Sequence, residues 1–124
     1  MNFRKIELNG IRLFLGRNAE NNDELMRKFK DKKNTILHTE ASGSPFCVIE
    51  KLKPSKEEIY SAGSVCAKYS QDWRNRKSDI EVHIFTGKDI SKRFWMKKGS
   101  WSVKNLKKIK VKKQDILKFE RSLK

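Results

Sequence analysis

Cationic and aromatic side chains are concentrated in one stretch towards the C-terminal end of the sequence. Between residues 88 and 113, eleven lysines and arginines accompany one acidic residue, Asp89, so this stretch carries +10 of the formal net charge of +15. Phe94, Trp95 and Trp101 lie among these cations. Cations bind phosphates and aromatic faces stack on unpaired bases, so the composition predicts a nucleic-acid-binding surface. The simpler alternative places the tryptophans in the core and gives the lysines only a solubilising role.

The candidate contacts in the sequence differ in their chemistry. The candidates for phosphate binding are Arg17, Lys97, Lys98, Lys104, Lys107 and Lys108. Either Trp95 or Trp101 is the candidate for stacking, and Asn18 and His38 are candidates for contacts with ribose or base edges. Binding through phosphates should weaken steeply with salt, with a log-log slope of roughly −0.7 to −0.9 per phosphate contacted.

A second polar stretch, residues 16–25, begins with Gly-Arg-Asn. Such residues add little to a core, and glycine loses more backbone freedom on folding than any other residue. One interpretation is a strand-to-helix connection in which Gly16 takes a positive φ and Asn21 or Asn22 caps the helix. This connection does not require Arg17. Arg17 is therefore a candidate nucleic-acid contact, and Asn18 and Asn22 of the same stretch are candidates beside it.

Patterns typical of catalysis are scarce in this sequence. It contains no phosphate loop of the GxxxxGK[ST] kind, no HExxH and no nucleophile elbow. His38 and Glu40 would share one face of a strand and could form a general base, which keeps a nucleic-acid-modifying enzyme as an alternative. Because no nucleophile or metal ligand accompanies this pair, we expect no enzyme and no cofactor.

The two cysteines predict a structural role. Cys47 and Cys66 lie within apolar patterning, without a CxxC spacing and far in sequence from His38 and His83. We therefore expect reduced core thiols, rather than a disulfide or a metal site.

Length and charge limit the remaining possibilities. At 124 residues the chain is most simply one domain, and +15 on 14.6 kDa favours a polyanionic partner. Nucleic acid is the first choice, and an anionic membrane surface is the second. The N-terminus leads into a charged segment, and no apolar run approaches the length of a membrane span. We expect a soluble, cytoplasmic protein that does not bind membranes.

Local patterns predict the elements that must position these residues. Asn9-Gly10 between two apolar-patterned runs predicts a β-hairpin over residues 3–15, and a helical pattern starts at Asn22. Strands are expected at 35–39, 46–51 and 79–86, of which the second is apolar enough to be buried on both faces. Ser55 and Glu58 have the spacing of a capping box and start the longest helix, whose apolar stripe includes Tyr69 and Trp73.

The C-terminal third predicts a basic hairpin. Its two short strands are 99–103 and 107–112, and a terminal helix or tail follows from residue 114. The expected fold is a single α+β domain, with a mostly antiparallel sheet, two principal helices packed on it and this basic hairpin. The domain is expected to span residues 1–113, and a basic C-terminal helix or tail residues 114–124.

The order and spacing of several short motifs resemble the NFACT-R domain, the RNA-binding module of the NFACT family that includes RqcH and NEMF. The matching residues are Gly16-Arg17-Asn18-Ala19 with Asn22, Leu37-His38-Thr39, Gly43-Ser44-Pro45-Phe46, Ala67-Lys68-Tyr69-Ser70 with Trp73, and Gly99-Ser100-Trp101. The resemblance covers roughly residues 3 to 112. It implies a role around ribosomes and tRNA. The other domains of full-length NFACT proteins do not fit in this sequence, so we expect a stand-alone form of the module, with a protein partner as one source of those domains.

The sequence departs from the family pattern at three positions. Asn34 and Ile36 stand where the family usually has Asp and Trp before His38, and Phe46 stands where it has a later histidine. A family activity that depends on those residues would be lost here, whereas plain RNA binding would be less affected.

The function expected from the sequence is RNA binding, with tRNA or rRNA in translation or ribosome quality control as the target. The alternative function is that of a protein-interaction module, which docks its basic face on an acidic protein partner.

Overall fold

Six antiparallel strands form the central sheet of the structure, a computed structural model that describes residues 2–123. The strands of the whole fold are β1 (Arg4–Leu8), β2 (Ile11–Leu15), β3 (Thr35–Thr39), β4 (Cys47–Ile49), β5 (Ile80–Thr86), β6 (Ile90–Ser91), β7 (Ser102–Val103) and β8 (Lys107–Val111). The helices are α1 (Ala19–Phe29), α2 (Lys56–Lys68), α3 (Gln71–Asn75) and α4 (Lys113–Ser122), with one 3-10 turn at Gly87–Asp89. The central sheet has the order β1-β2-β4-β3-β5-β8. The predicted α+β class with a mostly antiparallel sheet is confirmed.

The β1–β2 hairpin forms where the sequence predicts it. Asn9 and Gly10 have φ angles of 50° and 86°, so both lie in the left-handed region that a two-residue hairpin turn requires. Leu8 pairs with Ile11 across this turn. Strand β2 then ends at Leu15 and delivers the polar stretch to the edge of the sheet.

Helices cover both faces of the sheet. Alternate residues of the strands, including Leu13, Leu37 and Val82, form one core with α2 and α4. The intervening residues, including Phe14 and Phe85, form a second core with α1. Strand β4 is buried throughout and lies between β2 and β3, which confirms its predicted central position.

Helix α2 starts with the predicted capping box. The Ser55 hydroxyl accepts from the Glu58 N–H, and the Glu58 carboxylate accepts from the Ser55 N–H. A Cβ on Gly63 would lie 3.0 Å from a methyl group of Val111, so the helix approaches the sheet closely at that point. The helix ends at Lys68, and Ser70 caps the separate helix α3, which contains the buried Trp73.

The predicted basic hairpin is wrong. Strand β7 pairs with β6 in a separate two-stranded sheet, whereas β8 pairs with β5 at the edge of the central sheet. The chain changes sheets between the two strands, where Asn105 takes a φ of 54°. Apolar contacts explain the separation, because Val103 packs on the α1 core and Val111 belongs to the α2 core.

The terminal segment and the cysteines complete the core on the α2 side. Helix α4 buries Ile116 and Phe119, so of the two predicted forms of the C-terminal segment the structure has the helix rather than the tail. The division of the chain into a domain and a C-terminal segment at residue 113 stays a prediction. Cys47 and Cys66 are buried free thiols, and burial raises the pKa of Cys66 to about 12. Both cysteines therefore act as small core residues, as predicted.

Candidate nucleic-acid interface

Helix α1 begins earlier than the sequence pattern predicts, within the polar junction that follows β2 (residues 16–22). Asn18 is the N-cap, and its Oδ1 accepts from the Asn21 N–H at 2.8 Å. The Oδ1 of Asn21 in turn accepts from the Arg17 N–H at 2.9 Å. The prediction that Asn21 or Asn22 caps the helix is therefore wrong, because several consecutive residues are all suitable caps and distant contacts select Asn18.

Asn22 supplies those distant contacts. Its side chain is only 6% exposed, its Oδ1 accepts from the Phe46 N–H at 3.1 Å, and its Nδ2 donates to the Ser44 carbonyl at 3.3 Å. A Cβ on Gly16 would overlap with this Oδ1. Gly16 is not among the residues with positive φ, so that prediction is also wrong. Glycine is needed at position 16 for close approach rather than for backbone conformation.

A cavity of about 330 Å³ on the α1 side of the sheet brings together residues that are distant in sequence. We call it the His38 cavity. The predicted site residues that line it are Asn22, His38, Lys97, Lys98 and Trp101. Three chain segments therefore meet there: helix α1, strand β3 and the loop that follows β6.

Arg17 and Asn18 line a smaller, neighbouring cavity of about 120 Å³, the Arg17 cavity. Arg4 and Arg74 also line it, so three guanidinium-bearing residues surround a small space. The Nε of Arg17 donates to the Asn2 carbonyl at 2.7 Å. Asn22 and Gly43 line both cavities, so the two spaces share a wall, although Arg17 does not line the His38 cavity.

His38 is a neutral residue fixed in position. Its Nε2 lies 3.1 Å from the Ser44 carbonyl, which can only accept, so this nitrogen carries the proton. The ring centroid lies 4.4 Å from that of Phe46. Burial lowers the pKa of His38 and outweighs the opposing effect of the hydrogen bond to Ser44. His38 can therefore offer a polar imidazole edge to a ligand without adding positive charge.

Sequence reasoning missed Asp23, which anchors one wall of the His38 cavity. This carboxylate is 5% exposed, and its Oδ1 accepts from Trp101 Nε1 at 2.9 Å, Gly99 N at 3.0 Å and Lys92 Nζ at 3.1 Å. Burial alone would raise the pKa of Asp23, but the hydrogen bonds from Trp101, Lys92 and Gly99 together hold it below its ordinary value. The acidic residue near the start of a helix was the one available signal, and the helix dipole accounts for it equally well.

The loop held by Asp23, residues 92–101, is called the basic loop below. Lys92 Nζ also donates to the carbonyls of Lys97 and Ser100, each at 2.9 Å. Gly99 has a φ of 83°, and a Cβ there would lie 3.0 Å from the Cβ of Ala19. These contacts fix the backbone of the loop, while Lys97 and Lys98 remain exposed.

The two candidate stacking residues have different environments. Trp101 is partly buried, packs on the α1 core and donates its indole N–H to the Asp23 carboxylate. Trp95 is 69% exposed at the outer end of the basic loop, beside Phe94, which is 97% exposed. In sequence Phe94 is one of three aromatics among the cations and is not a candidate contact, because its exposure becomes visible only in the fold.

The structure separates the remaining predicted lysines. Lys108 lies opposite His83 in the β5–β8 register and therefore on the α1 face, whereas Lys107 lies opposite Ile84 on the α2 face. Lys107 borders an apolar groove of about 880 Å³ between α2 and the β5–β8 edge, the α2 groove, whose lining includes Ile59 and Ile109. Lys104 is exposed after β7 and lines neither the groove nor the His38 cavity.

The three positions that depart from the family pattern have structural roles in this chain. Asn34 is buried and its Nδ2 donates to the carbonyls of Ile49 and Glu50, both at 3.1 Å. Ile36 is fully buried in the α1 core, and Phe46 stacks on His38. His83 is partly buried, with its Nε2 3.4 Å from Glu81 Oε2.

Within residues 2–123, no group of three or more His, Cys, Asp and Glu side chains is arranged to hold a metal ion. None of the helices described is both long and apolar enough to span a bilayer.

Comparison with known proteins gives concordant results. The family model described as the NFACT protein RNA binding domain matches residues 1–105. The chain is 22% identical over 108 residues to the archaeal Rqc2 homolog aRqcH of Methanocaldococcus jannaschii, a match that covers 82% of this chain and 16% of the relative. Its fold is similar to the C-terminal part of the fibronectin/fibrinogen-binding protein from Streptococcus suis, with a TM-score of 0.78 and 24% identity over 94% of this chain and 47% of that one. The chain thus spans a small part of its archaeal relative and about half of the solved structure.

Proposed function

The chain belongs to the NFACT protein RNA binding domain family, and we propose on that basis that it binds structured RNA, tRNA or rRNA, through the His38 cavity and the basic loop. The observation that carries this proposal is the convergence of Asn22, His38, Lys97 and Lys98 on one cavity. Residues separated by up to 76 positions in sequence meet there, on a protein of net charge +15. A surface of this kind attracts a phosphate backbone and presents polar groups beside it.

The proposed roles follow from which polar groups are already satisfied. Lys97 and Lys98 are exposed and supply the phosphate contacts, and Lys108 extends the cationic surface across the sheet. His38 presents its imidazole edge to ribose or base. Both polar atoms of the Asn22 amide are engaged within the protein, so we assign Asn22 a positioning role in the cavity wall.

The cellular setting belongs to the same proposal. The name of the archaeal relative places that protein among Rqc2 homologues, and the NFACT resemblance implies ribosomes and tRNA. We therefore propose a role in translation or ribosome quality control in the cytoplasm. We further propose a protein partner that carries other NFACT domains.

The test is ultraviolet crosslinking of the protein to RNA in cells, followed by sequencing of the RNA and mass spectrometry of the crosslinked peptides. We expect tRNA or rRNA to be enriched, and the crosslinked peptides to contain residues of the basic loop. Crosslinks confined to the α2 and α4 side, or no enrichment of RNA over a non-binding control protein, would contradict the proposal.

Binding without chemical reaction is also part of the proposal. The Nε2 proton of His38 is donated to the Ser44 carbonyl, so Nδ1 of the neutral ring keeps a lone pair that can accept a hydrogen bond from ribose or a base. We expect His38→Ala to weaken RNA binding, and RNA incubated with the wild-type protein to keep its mass. A change in RNA mass that depends on His38 would instead establish a modifying enzyme.

A protein-interaction role is the second candidate, and the α2 groove favours it. The groove combines apolar walls with Lys56 and Lys107, which suits an acidic segment with one apolar face. Purification without nuclease distinguishes the candidates: a stoichiometric protein that is lost with Ile109→Glu, with little RNA, would favour this role. Copurified tRNA or rRNA that is retained in Ile109→Glu would favour RNA binding.

A further inference from the structure

The outer end of the basic loop displays an aromatic pair. Phe94 is 97% exposed and Trp95 is 69% exposed, more than any other large hydrophobic side chain in residues 2–123. Their ring centroids lie 5.3 Å apart, with the planes at 84° to each other. Exposed apolar residues that cluster in this way are typical of a binding surface.

The backbone beneath this pair is held in place. The Met96 N–H donates to the Arg93 carbonyl at 3.0 Å, and the Arg93 N–H contacts the Met96 sulfur at 3.3 Å. Lys92 then ties the loop to Asp23 and to the carbonyls of Lys97 and Ser100. The two rings therefore project from a braced turn, which lowers the entropy lost when they bind a partner.

Cations flank the pair in sequence on both sides. The guanidinium carbon of Arg93 lies 6.0 Å from the centre of the Trp95 ring, and Lys97 and Lys98 lead from the turn to the mouth of the His38 cavity. Aromatic faces next to cations are the chemistry that binds an unpaired nucleotide, because the base stacks while its phosphate meets the cation. In a duplex the neighbouring base pairs cover the faces of each base, so that these faces cannot stack on a protein side chain.

From this geometry we propose that Phe94 and Trp95 stack on unpaired bases, so that the protein prefers single-stranded or looped RNA to a duplex. This inference rests on the proposed RNA-binding function and specifies the class of RNA. Exposed aromatics with lysines also suit an anionic membrane surface. RNA is favoured because the loop that carries the pair continues through Lys97 and Lys98 into a cavity that His38 also lines, and a planar lipid surface would leave the imidazole edge of His38 unused.

The test compares fluorescein-labelled oligouridine and oligoadenine single strands with a mixed-sequence RNA duplex of equal length, all at one salt concentration. The variants are Phe94→Ala/Trp95→Ala, the conservative Trp95→Phe, and Leu52→Ala as an exposed apolar control. Thermal unfolding is expected to be unchanged in all three because the side chains are exposed. Vesicles of phosphatidylcholine and phosphatidylserine serve as the membrane probe.

We expect the wild type to bind the single strands more tightly than the duplex. The double variant should lose roughly fivefold or more in single-strand affinity, with little change for the duplex. Trp95→Phe should keep most of the affinity, and Leu52→Ala all of it. Quenching of a 2-aminopurine base placed in the strand should accompany binding of the wild type and disappear in the double variant.

Three outcomes would overturn the inference: equal wild-type affinity for strands and duplex, equal loss for both RNAs in the double variant, or loss of vesicle binding alone. The proposed function fails separately, if the wild type binds neither these RNAs nor tRNA. A duplex that still binds, and weakens when Lys97 and Lys98 are replaced by glutamate, would preserve RNA binding while removing the stacking role.

Discussion

The polar junction (residues 16–22) and the basic loop (residues 92–101) both suggest RNA contacts in sequence, yet they use their polar groups in opposite ways. In the junction, the side-chain oxygens of Asn18, Asn21 and Asn22 accept hydrogen bonds from the backbone. In the basic loop, a buried carboxylate and backbone groups hold the chain, and the side chains of Lys97 and Lys98 face solvent. A polar motif therefore indicates a binding surface only where its side chains remain available.

The comparison predicts that changes in the junction reduce stability, whereas changes on the surface of the basic loop reduce RNA affinity.

The largest effect is expected for Gly16→Ala. Its Cβ would displace the Asn22 side chain and leave the Phe46 N–H and the Ser44 carbonyl without their partners. We expect a loss of roughly 3 kcal/mol or more in the free energy of unfolding, measured by urea denaturation. A stable Gly16→Ala variant with weakened tRNA binding would reverse the assignment of the junction.

The next effect is expected for Asp23→Asn, which connects the two regions. The change leaves Lys92 without its anionic partner in a poorly solvated position, and we expect a loss of roughly 2 kcal/mol in stability. Because the pKa of Asp23 is lowered, its contribution is fully present above the unfolded-state pKa of about 3.9 and is lost as pH falls through the lower folded-state value.

Urea denaturation between pH 7 and pH 2 tests this prediction. Wild-type stability should fall across the acidic range more steeply than that of Asp23→Asn. Identical pH profiles for the two proteins would show that the contacts of Asp23 contribute nothing to the fold.

A smaller effect is expected for Asn18→Ala. This change removes the N-cap hydrogen bond of α1 and should cost about 1 kcal/mol of stability. The dissociation constant for tRNA, determined below the unfolding transition, should stay within about twofold of the wild-type value. Asn18→Asp is the matched control, since aspartate caps equally well. If the aspartate variant kept its stability but lost tRNA affinity, Asn18 would be an RNA contact rather than a cap.

The smallest effect is expected for Arg17→Gln. Arg17 is exposed, and its Nε hydrogen bond to the Asn2 carbonyl should contribute less than about 0.5 kcal/mol. If Arg17 holds a phosphate from the Arg17 cavity, the slope of log affinity against log salt should decrease by roughly 1. An unchanged slope would restrict the role of Arg17 to the junction.

Local chemistry allowed much of the fold to be predicted. The Asn9-Gly10 turn, the Ser55–Glu58 capping box and the strand expected at 79–86 each depend on neighbours in sequence, and each is present. Long-range contacts explain the failures. The helix start is decided by the contacts of Asn22 with Ser44 and Phe46, and the pairing of β8 with β5 by burial of Val111 under α2.

The candidate site shows the same limit. His38, Lys97, Lys98 and Trp101 were identified one by one from residue type, and the structure brings them to one cavity. The contact of Asp23 with Lys92 joins residues 69 positions apart, so no local pattern could show it. Lys107 and Lys108 are adjacent residues of one strand and therefore lie on opposite faces of the sheet, but which of them is on the α1 face depends on the pairing of β8 with β5.

The most direct test of the central claim measures the dissociation constant for tRNA of two charge-matched variants. Lys97→Glu/Lys98→Glu alters the basic loop, whereas Lys113→Glu/Lys118→Glu alters exposed lysines of α4 on the other side of the sheet. With stability unchanged in both, we expect the first pair to weaken binding by roughly tenfold or more and to reduce the salt slope by roughly 2, and the second to weaken binding by less than about threefold. Equal loss in the two variants would contradict an RNA site at the His38 cavity and the basic loop.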